Sequence, residues 1–149
     1  MLVRRIFAIL ACVLFAGAAA AQVKIGLLVS ATGPTSAIGI PQQNTGALLP
    51  TRIDDATVEY IQLEDGGETT HAVQNTKKLL AEQNVDALIG PSTTPNALAI
   101  LDLVAEAKVP LLATVGTSSV VEPMDAKRRW VFKTTQNDDL IAAALVEHM

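Results

Sequence analysis

Three stretches of this chain are apolar almost without interruption: VKIGLLVS at 23–30, VDALIG at 85–90 and VPLLAT at 109–114. A strand of that kind has no face to turn to water, so it belongs in a sheet covered on both sides, which is the habit of parallel sheets. Two further runs, TVEYIQLE at 57–64 and WVFKTT at 130–135, carry the β-branched and aromatic residues that strands favour. Helical patterns separate these strands. Ala72, Val73, Thr76, Leu79 and Leu80 fall at helical spacing, with Thr69 or Thr70 as the expected cap. PNALAILDLVAEA at 95–107 predicts one helix, with Pro95 in its first turn and Leu98, Leu101, Val104 and Ala105 on one face. NDDLIAAALVEHM at 137–149 opens another, its acidic residues placed where they complement the helix dipole. ATGPTSAIGIP at 31–41 is dense in Gly, Pro, Ser and Thr and predicts a loop, followed by a short segment over 44–49. Strand and helix thus alternate. The fold class this implies is α/β, an open parallel sheet with flanking helices joined by right-handed crossovers.

Open sheets of this class bind ligands beyond the carboxyl ends of their strands. This chain places small hydroxyl residues at three such ends: SATGPTS (30–36) after the first strand, Ser92, Thr93 and Thr94 after the third, and TVGTSS (114–119) after the fourth, with Thr114, Thr117, Ser118 and Ser119. Hydroxyls beside the free N–H groups of a helix start make a site for a carboxylate or another anion. Capping and turn formation account for any one such loop. Three of them on one sheet edge predict a cleft for a polar ligand.

Chemistry of other kinds lacks its residues. The sequence contains no Gly-x-Ser-x-Gly elbow, no phosphate-binding Walker loop and no Gly-x-Gly-x-x-Gly fingerprint, so no catalytic residue and no cofactor is expected. Glu64, Asp65, Glu68 and His71 imitate a metal-ligand set, but read more simply as a solvated turn entering a helix. Asp54 and Asp55 invite comparison with a phosphorelay receiver's acidic pocket, yet they precede the second strand instead of following the first. The basic KRRW at 127–130 reads as a solvated turn before a strand, and His148 is the last residue but one.

Residues 1–21 have the anatomy of a secretory signal peptide: Arg4 and Arg5, an apolar core over 6–15, and Ala19-Ala20-Ala21 before the expected cut ahead of Gln22. The strongly apolar run is about half the roughly 20 residues of a membrane-spanning helix, the competing interpretation. Cys12, the sole cysteine, lies inside this leader, where ILAC faintly resembles a lipid-attachment site, although Leu10 and the continuing apolar run argue against one. After cleavage, residues 22–149 hold no cysteine, and nine basic residues face fifteen acidic ones, a net charge of −6. A surface of that sign repels nucleic acid and anionic lipid, so neither nucleic-acid binding nor direct membrane insertion is expected.

From Val23 onward the sequence resembles the amino-terminal portion of the type I periplasmic solute-binding proteins of ABC transporters, in particular the branched-chain amino acid (leucine-binding) family. The stretches that carry the resemblance are VKIGLLVSATGPTSAIG, AVQNTKKLLAEQNVDALIGPSTTPNALAILDLVAEAKVPLLA and WVFKTTQND, in this order and spacing. The resemblance implies two Rossmann-like lobes joined by crossing segments, with an amino acid or small carboxylate held between them and delivered to an ABC permease in the inner membrane. It implies a periplasmic, non-enzymatic protein. Residues 22–135 then correspond to an incomplete ligand-binding lobe, crossing at 132–135, and residues 136–149 to the crossing and first helix of a second lobe. Carried over by position, the ligand would meet Thr94 with its neighbour Thr93, the backbone of Val115, the hydroxyl of Thr117, and Ile38 over its body. Ser92 joins them as part of the same hydroxyl cluster, and the helix starting near Pro95 would assist in holding the carboxylate. GALLPTRIDDATVEY at 46–60 is shorter than the family pattern and interrupted by Pro50. A second interpretation, a ligand-sensing lobe of a regulatory or receptor system, uses the same fold; an exported enzyme is a third.

Overall fold

A computed structural model describes residues 22–149; the expected leader, with Arg4, Arg5 and Cys12, lies outside the described residues. The elements are β1 (Gln22–Val29), α1 (Ser36–Gly46), β2 (Arg52–Ile53), β3 (Ala56–Glu64), α2 (Thr69–Ala81), β4 (Ala87–Ile89), α3 (Thr94–Ala99), α4 (Leu101–Ala107), β5 (Leu111–Ala113), β6 (Val131–Lys133) and α5 (Asp138–His148). They build a six-stranded sheet of order β2-β3-β1-β4-β5-β6. Only the short β2–β3 pairing is antiparallel; the other four pairings are parallel, as the apolar strands require. From β1 the chain moves to β3, then returns past β1 to β4 and continues outward. The order therefore reverses beside β1, and the carboxyl end at a reversal is where open sheets leave a crevice.

The two faces of the sheet are unequally covered. Leu28, Leu88, Leu111 and Val131 point to one face, where α2, α3 and α4 bring Ala72, Leu79, Ala97, Ile100, Leu101 and Val104 against them in the main core. Among the described residues the opposite face carries α1 alone. There Leu27, Ile89, Leu112 and Phe132 form one row across β1, β4, β5 and β6. Leu27 is 5% exposed, Leu112 36% and Phe132 57%, so cover fades with distance from α1. A mainly apolar groove of about 280 Å³ runs beside that helix, lined in part by Leu27, Val29, Leu49 and Ile89.

Three expectations need correction. Residues 36–41, expected as loop, form the first turns of α1 despite Pro41, whose missing N–H forfeits the bond to the Ala37 carbonyl. The helix survives because Gly39 lies against the end of β1: a Cβ there would come within 2.1 Å of the Ser30 carbonyl oxygen. Neither Thr69 nor Thr70 caps α2; Glu68 takes the N-cap position without a side-chain bond, and the Thr69 hydroxyl turns to Asn96 instead. The helix over 95–107 is two helices meeting at Ile100, and its buried face is Ala97, Ile100, Leu101 and Val104, with Leu98 exposed. Asn96 is drawn inward by its bond to Asp65, which rotates Ala97 in and Leu98 out. Asp54 and Asp55 make the turn of the β2–β3 hairpin, Asp54 in the left-handed region at φ 49°.

Candidate functional site at the carboxyl edge of the sheet

The carboxyl ends of β1, β3, β4 and β5 are held together by one chain of side-chain hydrogen bonds. Asp65, fully buried after β3, accepts from the Ser30 hydroxyl at 2.5 Å, the Gly67 N–H at 2.9 Å and the Asn96 amide at 3.0 Å. Asn96, also fully buried, accepts in turn from Thr69 at 3.2 Å. The Ser30 N–H donates to Ser92 Oγ at 3.0 Å, and the Ser92 hydroxyl donates to Gln42 of α1. Gln42 donates to Thr114 Oγ1 at 3.4 Å, and Thr114 to the Pro91 carbonyl at 3.0 Å. Buried polar groups must be paired, and here the pairing fixes four loops relative to one another. Beside it, Glu64 accepts from the Thr32 N–H and hydroxyl, both at 3.0 Å, and from the Gly66 N–H at 2.7 Å. Its slight burial pushes the carboxyl pKa up, but these donors outweigh that and hold it below the usual carboxylate value.

Each of the expected ligand residues has a definite place on this frame. Ser92 is buried with its hydroxyl engaged at both ends, by Ser30 and Gln42, which makes it a strut of the loop. Thr93 takes the N-cap position of α3 with no cap bond, and its hydroxyl oxygen is buried without a hydrogen-bond partner. Thr94 follows as the first, half-buried residue of α3. In the loop after the neighbouring strand, the Val115 carbonyl accepts from Lys133 at 3.2 Å and from the Thr135 hydroxyl at 2.7 Å. Thr117 is half-buried and accepts from the Ser119 N–H at 3.3 Å, capping a 3-10 turn over Ser118–Val120. Ile38 is exposed in the first turn of α1. The structure thus sets Thr93 and Thr94 after β4, at the start of α3, and Val115 and Thr117 in the loop after the adjacent β5, at one edge of the sheet, with Ile38 on the element after β1.

Sequence reasoning missed Gln42, Asn96 and Lys133 and took Asp65 for part of a solvated turn. Among the described residues no group of three His, Cys, Asp or Glu side chains could hold a metal ion, in keeping with Glu64 and Asp65 being occupied by N–H and O–H donors. KRRW forms a surface turn in which Lys127 pairs with Asp102 at 2.5 Å and Arg128 with Asp125 at 2.5 Å.

A parallel sheet whose order reverses beside β1, with polar loops gathered at its carboxyl edge, defines one lobe of an α/β ligand-binding protein. The comparisons agree. The sequence profile of the periplasmic binding protein family matches residues 22–149, and the chain belongs to that family. It is similar to an extracellular ligand-binding receptor from Rhodopseudomonas palustris HaA2, at 46% identity and a TM-score of 0.82, over 84% of this chain and 35% of that one. A second extracellular ligand-binding receptor of the same strain is 30% identical, with a TM-score of 0.76, over 86% of this chain and 35% of the other. A leucine-binding protein from Thermotoga maritima is 25% identical, with a TM-score of 0.71, over 83% and 35% respectively. The chain therefore spans about a third of the length of these structures. A search of curated proteins finds no match. Among the described residues no helix is long and apolar enough to cross a membrane.

Proposed function

We propose that residues 22–149 are the amino-terminal part of a non-catalytic, periplasmic solute-binding protein, exported by the leader over 1–21. It captures a small carboxylate, a branched-chain amino acid being the first candidate, and hands it to an ABC permease. In this reading residues 22–135 supply one jaw of the cleft, and residues 136–149 the crossing and first helix of the opposing lobe. The observation that carries the proposal is the hydroxyl pair Thr93–Thr94, one oxygen of it buried and unpaired, at the same sheet edge as Thr117 in the loop after the next strand. An unpaired buried hydroxyl costs stability unless something else uses it. A ligand carboxylate would supply acceptors for these O–H groups and for the Val115 N–H, the carbonyl of Val115 being engaged elsewhere.

The test is titration calorimetry against amino acids and small carboxylates, in a protein extended by a complete second lobe from a relative. Thr94→Ala and Thr117→Ala should each weaken binding by about 1.5–3 kcal/mol, the worth of a hydrogen bond to a charged group, with little change in folding. Two variants that bind like the parent would sink the carboxylate cradle. The description of the relatives as extracellular receptors favours one second reading, a ligand-sensing lobe. A neighbouring gene for a sensor kinase in place of a permease would select it.

A further inference from the structure

Lys133 closes β6 at the outer edge of the sheet, opposite Ala113 of β5. Its side chain turns inward to main-chain oxygens. The ammonium donates to the carbonyls of Gly116 at 2.8 Å, Gln136 at 3.0 Å and Val115 at 3.2 Å, with Thr135 Oγ1 further off at 3.5 Å. An ammonium has three N–H donors, and three carbonyls take them. None of the ion pairs among the described residues includes Lys133, so carbonyl dipoles face its charge where a carboxylate would be usual. Two more bonds cross the same gap: the Thr135 hydroxyl to the Val115 carbonyl at 2.7 Å, and the Asp138 N–H to the Gly116 carbonyl at 3.1 Å. Gly116 makes the approach possible, since a Cβ there would fall 1.9 Å from Asp138 Oδ1.

The acceptors at 115 and 116 belong to the loop that carries Thr117; Thr135, Gln136 and Asp138 belong to the segment leaving the sheet. We propose that Lys133 is a positioning residue that ties the loop over 115–117 to the outgoing segment over 134–138, so that the two hold one geometry and move as one body. A chemical consequence follows for the loop, and it rests on the ligand-facing role given to it above. With the carbonyls of Val115 and Gly116 turned to the ammonium, two of the loop's acceptors are withdrawn from a ligand, while its N–H groups and the Thr117 O–H remain as donors. A loop with those two carbonyls withdrawn favours the carboxylate end of a solute over an ammonium end, which needs acceptors.

Hydrogen exchange on the full chain, read by mass spectrometry, tests the tie without any ligand. Lys133→Met should speed amide exchange over 114–119 and 134–138 together by about tenfold to a hundredfold, the factor one hydrogen bond to a charged group is worth. Amides of β1 and β4 should keep their rates. Lys133→Cys treated with bromoethylamine, which rebuilds an ammonium at nearly the original reach, should restore slow exchange in both segments, whereas an uncharged S-methyl cap should not. The sole native cysteine, Cys12, lies far outside both segments in sequence, and the parent treated alike controls for it. Unchanged exchange in the Met variant, acceleration shared with the strand core, or equal rescue by the uncharged cap would each overturn the proposal. Acylation of the unmutated native chain is independent of how the variants fold. Lys133 should react at least about tenfold more slowly than the exposed Lys77, Lys78 and Lys108, because an ammonium held by three acceptors is withheld from the reagent. Equal labelling would also overturn it. Failure of the Thr94 and Thr117 titrations, by contrast, would remove the carboxylate reading and leave the tie standing.

Discussion

Asp65 is a fully buried carboxyl group with no cation in its hydrogen-bonding shell, held by the Ser30 hydroxyl, the Gly67 N–H and the Asn96 amide. Removing it strands those three donors, at about 1–3 kcal/mol for each that finds no other acceptor. Asp65→Ala should therefore destabilise the fold by about 3 kcal/mol or more, read as a lower urea midpoint at an unchanged slope. A loss under about 1 kcal/mol would mean that water or a shifted loop replaces the carboxylate. Nothing local in the sequence announces this role, because its partners Ser30 and Asn96 stand 35 and 31 residues away. The hydroxyl loops were legible for the opposite reason: SATGPTS, PSTTP and TVGTSS are contiguous, and the strand before each one places it. The split between hydroxyls that brace the frame, Ser92 and Thr114, and those that do not, Thr93 and Thr94, depends on Gln42 reaching across from α1, which only the fold brings near.

Among the elements, the parallel strands and α2 could be read from apolar runs and helical spacing, although cover on the second face fails at the outer strands, where Leu112 and Phe132 are open. α1 could not. Pro41 and Gly39 are poor helix residues, and the helix exists because Gly39 lets it close on Ser30, a tertiary contact that outweighs propensity. The turns between elements are tied as closely. Glu64 at the end of β3 clamps the Thr32 turn after β1 to the Gly66 turn after β3. Because folding holds its carboxyl below the ordinary 4.5, the clamp contributes fully above that pH and is lost as the pH falls through the lowered value. The melting temperature of the parent should exceed that of Glu64→Gln at neutral pH, and the gap should close in acid below about pH 4.5. A gap that stays constant from pH 7 to pH 3 would show that the carboxyl's charge has no part in the clamp.

At the scale of the whole molecule, the asymmetry between the two faces of the sheet decides how residues 22–149 behave when taken alone. One face is sealed by three helices; on the other, Leu112 and Phe132 stand open beyond the reach of α1. α5 adds a second bare surface, for none of its residues is buried, and Leu140, Ile141, Ala144 and Leu145 line one stripe of it. Each large side chain left in water forgoes about 1.5–3 kcal/mol, and together the two surfaces exceed the scattered apolar exposure usual for a monomer. The purified segment over 22–149 should therefore self-associate at micromolar concentration and bind a hydrophobic dye. If the segment is one jaw, as proposed, it should also show little affinity for amino acids or small carboxylates, since most of a small ligand's surface would stay in water, where its hydrogen bonds yield little net free energy. Sedimentation velocity, dye fluorescence and titration calorimetry read the three properties separately. Leu140→Gln with Leu145→Gln should shift the sedimentation profile towards monomer while leaving the circular dichroism unchanged, because both side chains are exposed and neither lies in the core. A monomer that melts cooperatively and binds a solute at micromolar strength would show that one lobe suffices, and would remove both the need for an opposing jaw and the reading of α5 as its first helix.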